Sequence, residues 1–200
     1  QTARDQRFVA SDTLRHRTNV HVALLHYPVL NKSGETIVSA VTPMDLPDIS
    51  RAVRTYGVDQ FFVVTPLKDQ QKLVRSVIDH WIQGYGATYN PTRRKALETV
   101  RLTDTLESAK VEIRSLDRVA PRVVVTSSRE HPASVSFETL GGMLDDDKPH
   151  LLVFGTAWGL APEVIQAADY CLRPIRGRTE YNHLSVRSAA TVVLDRLLGC

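Results

Sequence analysis

The stretch LLVFGTAWGLAPEVI (residues 151–165), followed at 168–190 by ADYCLRPIRGRTEYNHLSVRSAA, holds the reading that decides the fold. An apolar run, Leu151 to Phe154, ends in a glycine-bracketed loop, Gly155-Thr-Ala-Trp-Gly159. A second run, Tyr170 to Leu172, ends in a loop of proline, glycine and arginine that empties into a helix beginning near Leu184 or Ser185. Two strand-to-loop junctions about twenty residues apart fit side by side at the carboxyl edge of a parallel sheet, where open α/β sheets bind small ligands.

The chain upstream alternates short apolar runs with helical patterns. Strands are expected at Val20 to His26, Phe61 to Thr65, Thr99 to Leu102 and Arg122 to Thr126. The last of these, RVVVT, is an unbroken β-branched run of the kind buried on both faces of a sheet. Helices are expected at Leu46 to Tyr56, Leu67 to Gln83, Leu106 to Leu116 and Phe137 to Leu144. The first begins with Pro47 and Asp48 in its opening turn and stops at Gly57; the second ends at Gly84, with a loop beyond it. The final helix sets Val186, Ala189, Ala190, Val193, Leu194 and Leu197 on one stripe. Strands alternating with helices predict an α/β fold: a mostly parallel sheet with helices on both faces.

Composition bounds the function without choosing it. A hydrophobic fraction of 42%, a charged fraction of 24% and a net charge of +3 over 200 residues describe one ordinary globular domain with room for a polyanionic partner. The two cysteines, Cys171 and Cys200, build neither a disulfide framework nor a zinc site, which points to a reducing cytoplasm. No apolar stretch reaches membrane-spanning length. Phosphate-loop, serine-nucleophile and HExxH patterns are absent, and Gly84-Tyr-Gly86 follows a helix rather than a strand, so it is not a dinucleotide fingerprint. His21 and His26 read as structural histidines of the first strand. Residues 1–18 read as a polar tail or linker, with a processed terminus or docking helix as the alternative, and residues 19–200 as the domain.

In the glycine loop the backbone amides are expected to turn outward, with glycine allowing a flat ligand to approach the main chain and Trp158 able to close over it. In the second loop Arg173, Arg176, Arg178 and Arg187 crowd together with Tyr181, Asn182, His183 and Ser185. The bland reading is a solvated basic loop capped by Asn182 or Ser185. The sharper one takes Ile175 and Leu184 as apolar walls, with main-chain groups between them reading the polar edges of a base.

The order strand, glycine loop, Leu172-x-Pro174-Ile175, loop, Asn182-x-Leu184-Ser185-Val186, helix resembles the second and third motifs of the SPOUT RNA methyltransferases. Asp48-Ile-Ser-Arg51-Ala-Val-Arg54-Thr-Tyr-Gly57, leading into Phe61-Phe-Val-Val, is similar to the first motif and sets Arg51 at its arginine. The first-motif asparagine and its glycine partner are not evident, since Pro43-Met-Asp-Leu-Pro47 stands there; a ribose 2′-O-methylation role is therefore not carried over. The chain looks closer to a bacterial subgroup of S-adenosylmethionine-dependent RNA methyltransferases, members of which occur attached to tRNA guanine-N1 methyltransferase.

The resemblance, over about residues 20–198, implies a C-terminal deep trefoil knot around residues 155–182, a homodimer, and a bent S-adenosylmethionine held mainly by backbone groups. Matching positions assign Gly155, Trp158, Gly159, Ile175, Tyr181, Asn182, Leu184 and Ser185 to the cofactor pocket, and Thr126, at the carboxyl end of its buried strand, is a further expected contact. Arg176 and Arg178 are expected to reach the methionine carboxylate or RNA phosphate, Arg176 being counted with the cofactor pocket and Arg178 with the RNA contacts. Arg51 becomes the catalytic candidate, orienting substrate or stabilising charge; Glu163 and Glu180 are weaker ones. The partner is RNA, tRNA in particular, and no metal is required.

Between Trp81 and Lys95, aromatics suit stacking on unpaired bases while Arg93, Arg94 and Lys95 meet phosphates, and Arg129 faces the cofactor edge. Against this, Trp81 continues a helical apolar stripe and Arg-Arg-Lys is a common solvated helix start. Two competing classes are a non-catalytic knotted RNA-binding or accessory domain of a larger tRNA guanine-N1 methyltransferase, and an ordinary α/β nucleotide-binding domain.

Overall fold

The structure is a computed structural model that describes residues 18–199; the expected tail lies outside these residues except for Thr18, whose hydroxyl donates to the Gly57 carbonyl at 2.8 Å. In chain order the first elements are β1 (Val20–Leu25), β2 (Val29–Leu30), β3 (Thr36–Ile37), α1 (Asp45–Thr55), β4 (Gln60–Val64), α2 (Lys68–Ile82), α3 (Tyr85–Tyr89) and α4 (Pro91–Leu97). Then follow β5 (Val100–Thr103), α5 (Leu106–Asp117), β6 (Arg122–Thr126), β7 (Ser134–Val135), α6 (Phe137–Met143), β8 (His150–Gly155), α7 (Pro162–Gln166), β9 (Tyr170–Leu172) and α8 (Val186–Leu198).

Seven strands form one sheet in the order β5-β4-β1-β8-β6-β9-β7, and every pairing in it is parallel. The two-residue pieces β2 and β3 make a separate antiparallel hairpin. Strand side chains alternate between faces, and each face is covered by its own apolar cluster. Val22, Leu24, Phe61, Val63, Val124 and Leu152 pack with Ile49 and Val53 of α1, Val74 of α2, Leu97 of α4, Leu140 of α6 and Val193 of α8. Ala23, Leu25, Phe62, Val64, Val125 and Val153 pack on the other face with Ile113 of α5, Val164 of α7 and Val29 of the hairpin. This two-sided burial is why the strands read as continuous apolar runs. Helical connections that move one way along the sheet lie on the first face, and those that move back, α5 and α7, lie on the second. A right-handed crossover requires that arrangement.

Helix ends follow local chemistry. Thr105, Ser136 and Ser185 cap α5, α6 and α8, each side-chain oxygen accepting a backbone N–H three residues on. Pro162 opens α7 as expected. The segment after Gly84 is not the expected loop: Asn90 caps a helix whose first residue is Pro91, and α3 forms a turn before it. Two residues each in β2, β3 and β7 are too short for a period to be read.

Candidate functional site

The carboxyl ends of β8, β6 and β9 are neighbours, so the segments after Gly155, Thr126 and Leu172 meet at one sheet edge. The structure thus brings the two loops of the opening stretch together and adds a third, the Ser127-Ser128-Arg129 turn. Asn182 ties them: its side-chain amide donates to the Ser128 carbonyl at 2.8 Å, across 54 residues of chain. Asn182 is therefore not a helix cap; Ser185 takes that role, accepting from Ser188 N at 3.4 Å.

The glycine loop corrects one expectation. Its amides do not turn outward. Thr156 N donates to the Leu25 carbonyl (3.2 Å), Trp158 N to Leu30 (3.0 Å) and Gly159 N to Thr156 (3.0 Å), while Leu30 N donates to Gly159 (2.9 Å). The loop is sewn onto β2, an element too short to be seen in the sequence. Gly155 is required by this packing: a Cβ there would stand 2.7 Å from Leu160 N and 3.0 Å from the Gly159 carbonyl carbon. Gly159 is different. Its φ of +107° suits glycine, and no atom lies within 4 Å of where its Cβ would be, so its α-carbon faces open space. Ala157 also takes a left-handed φ, +51°.

A buried polar chain supports the loop from below. His26, fully buried at the end of β1, contacts Ser39 Oγ through Nδ1 at 3.0 Å; Ser39 Oγ contacts Thr156 Oγ1, which donates to the Leu25 carbonyl at 2.9 Å. With the Thr156 proton on Leu25, the network assigns the Ser39 proton to Thr156 and an Nδ1–H donor to His26. His26 Nε2 has no partner among the described residues, and burial lowers the imidazole pKa to about 4. His26 is thus structural, as its place in the first strand suggested, but the structure it holds is the glycine loop. Nothing local in the sequence joins positions 26, 39 and 156.

A second link missed in the sequence joins α1 to α8. Arg187 Nη1 donates to Asp45 Oδ1 at 3.1 Å, and its Nε lies 3.4 Å from Asp48 Oδ2. Asp45 is buried, which raises its carboxyl pKa, and the Arg187 hydrogen bond opposes the shift.

Around the loops, Ile175 is half-buried against the core, whereas Trp158 (58% exposed), Tyr181 (75%) and Leu184 (49%) present apolar surface to solvent. The Thr126 hydroxyl donates to the Val153 carbonyl at 3.0 Å. Arg176 pairs with Glu130 at 2.9 Å, and Arg173 reaches the same carboxylate at 3.8 Å. Arg129 and Arg178 are exposed on loops of this edge. Arg51 is not brought to the loops of its own chain. It lines an open groove of about 280 Å³ with Asp48, Ala52, Thr55, Tyr56 and Thr191, between α1 and α8. Arg93, Arg94 and Lys95 lie on α4, which leads into the amino end of β5, so they stand at the opposite edge from Arg129 and Arg178. Glu163 and Glu180 are exposed and line no shared site with Arg51. Among the described residues no group of three or more His, Cys, Asp or Glu side chains is placed to hold a metal, and no helix is long and apolar enough to cross a membrane.

A parallel α/β sheet with three loop segments converging at its carboxyl edge defines an α/β domain built to hold a small ligand at its switch point. The chain matches the SAM-dependent RNA methyltransferase family over residues 19–199, and it belongs to that family. It is 42% identical over 189 residues to a tRNA (guanine-N(1)-)-methyltransferase of Oleidesulfovibrio alaskensis, with 94% of this chain and 44% of that one covered. An uncharacterized protein of Aquifex aeolicus is 38% identical over 182 residues, 90% of this chain and 89% of that one. The chain thus spans less than half of the first relative but nearly all of the second. In fold it is similar to a probable methylase family protein of Haemophilus influenzae: TM-score 0.60, 17% identity, 91% of this chain and 66% of that one.

The residues fit the cofactor this family uses. Ile175 and Leu184 offer apolar contact for a purine, the open α-carbon face of Gly159 admits a flat group, and the arginines beside Glu130 suit a carboxylate.

Proposed function

We propose that this chain is a methyltransferase domain that uses S-adenosylmethionine to methylate RNA, with tRNA as the substrate. The observation that carries the reading is the Asn182–Ser128 hydrogen bond, which closes the β9 loop onto the β6 loop, in a chain of this family. When bound, S-adenosylmethionine supplies an activated methyl on a sulfonium. The chain's residues bind and orient: Trp158, Ile175, Tyr181 and Leu184 wall the purine, Thr126, Gly155, Asn182 and Ser185 shape the loops around it, and Arg176 exchanges Glu130 for the amino-acid carboxylate. Alignment of donor and acceptor carries much of such a transfer. Arg51 orients the substrate, and Arg129 and Arg178 meet its phosphates.

The reading includes a deep trefoil knot around residues 155–182, locked by α8, and a cytoplasmic homodimer. Two observations support the dimer: Trp158, Tyr181 and Leu184 leave apolar surface uncovered at the site, and Arg51 lines a groove to which none of the loop residues contributes. Residues 19–200 are the domain, and residues 1–18 its tail or linker.

Calorimetric titration with S-adenosylmethionine is the first test. Wild type binds, and Asn182→Ala loses at least tenfold in affinity with its melting temperature nearly unchanged, since one exposed hydrogen bond is worth about 1 kcal/mol. No heat at high micromolar cofactor sinks the reading. Transfer of labelled methyl to total tRNA from a deletion strain, followed by nucleoside mass spectrometry, identifies the accepting atom.

The 44% coverage of the Oleidesulfovibrio relative favours one alternative, a non-catalytic accessory domain of a longer tRNA guanine-N1 methyltransferase. RNA binding without cofactor binding would select it.

A further inference from the structure

We propose that α3 and the start of α4 form a second RNA-docking surface, a stacking platform for unpaired bases at the sheet edge opposite the cofactor loops; the proposal rests on the RNA substrate argued above. Tyr85 and Tyr89 stand four residues apart on one side of α3, with ring centroids 6.1 Å apart and planes 24° from parallel. They are 79% and 75% exposed, so this aromatic pair covers no core.

The platform is firmly mounted. A Cβ on Gly86 would stand 2.6 Å from the Trp81 ring, so α3 sits directly against the end of α2. The Arg93 guanidinium lies over the same Trp81 ring, 4.4 Å from its centroid, which holds α4 to the same point. Trp81 and Arg93 are therefore spent on each other, and the groups left for a partner are Tyr85, Tyr89, Arg94 and Lys95. Arg94 shares its charge with Glu98 at 3.1 Å, while Lys95 has no ion-pair partner among the described residues.

Charge selects the occupant. Residues 84–98, which form α3, α4 and their ends, carry Arg93, Arg94 and Lys95 against a single acid, Glu98. Exposed rings beside a basic helix are what unpaired RNA recognises: every base has a face to stack, and each phosphate seeks a cation. A duplex offers no free base faces and gains little from the tyrosines. Because α4 feeds the amino end of β5, the platform lies away from Gly159 and touches no reacting atom, so its contribution falls on KM rather than kcat.

The test uses the full chain with a labelled single-stranded RNA of about twenty nucleotides, the same sequence as a duplex, and bulk tRNA. Wild type is compared with Tyr85→Ala/Tyr89→Ala and Tyr85→Phe/Tyr89→Phe. The alanine pair is expected to lose about tenfold per ring on the single strand. The phenylalanine pair retains affinity, duplex binding is unchanged, and methyl transfer shows a raised KM at constant kcat. The rings are exposed, so an unchanged melting temperature accompanies these results. Single-strand affinity within twofold of wild type in the alanine pair overturns the platform while leaving the methyltransferase reading intact. So does loss of a self-associated species in sedimentation with RNA affinity kept. Wild type that binds none of the three RNAs overturns both.

Discussion

Acid should weaken this protein through His26, and by an amount the structure sets. The imidazole is wholly buried, contacts Ser39 Oγ through Nδ1, and has its pKa lowered from 6.5 to about 4 by burial, against which a hydrogen bond to the Ala40 backbone acts. The unfolded chain therefore takes up a proton near pH 6.5 that the folded chain refuses until about pH 4. Stability is whole above pH 6.5 and falls steadily as pH drops towards 4, by about 3 kcal/mol in total. Urea unfolding of wild type and His26→Asn at half-unit steps between pH 4 and pH 8 isolates this contribution from other groups. His150, also lowered by burial, acts in both proteins and cancels in the difference. Asparagine keeps a donor near Nδ1 but does not titrate, so the variant starts less stable at pH 8 and the gap narrows by about 3 kcal/mol on acidification. A gap constant across the range refutes the reasoning. Because His26 reaches the glycine loop through Ser39 and Thr156, and the folded chain takes up this proton only near pH 4, cofactor affinity should hold across pH 8 to 5 and fall only as pH approaches 4.

Two further substitutions test the frame around the site. Gly155→Ala forces a methyl against the backbone of Leu160 and Gly159, so it should cost about 1–3 kcal/mol in urea unfolding and shift the loop that carries Gly159; an unperturbed melting curve would refute the packing argument. Phe62→Ala empties a fully buried position on the α5 face and should cost about 3–5 kcal/mol, readable as a shift in denaturation midpoint without loss of the methyl acceptor's identity.

Much of the fold was legible because burial on two faces leaves a one-dimensional trace. RVVVT and Tyr170-Cys-Leu appear as strands with the bounds expected, and the final helix begins where Ser185 supplies its cap. The hairpin of β2 and β3 left no such trace, and neither did β7, because two residues show no periodicity. The segment after Gly84 hid α3 and α4 behind glycine, asparagine and proline, residues equally suited to a loop. Of the candidate site, the two carboxyl-edge loops were foreseen as neighbours. The inward-bonded amides of the glycine loop, the Asn182–Ser128 contact and the placing of Arg51 between α1 and α8 were not.

The sequence alone determined the strand and helix alternation, the parallel sheet with two covered faces, and the carboxyl-edge position of LLVFGTAWG and LRPIRG. These follow from periodicity, β-branched runs and caps, which act over a few residues. Only the tertiary structure decided what those loops do with their polar groups. The amides after Gly155 bond to β2 and the ends of β1, Asn182 to Ser128, His26 through Ser39 to Thr156, and Arg187 to Asp45. Each partner lies far away in sequence, and a backbone or side-chain group buried from water takes whichever partner the fold delivers to it.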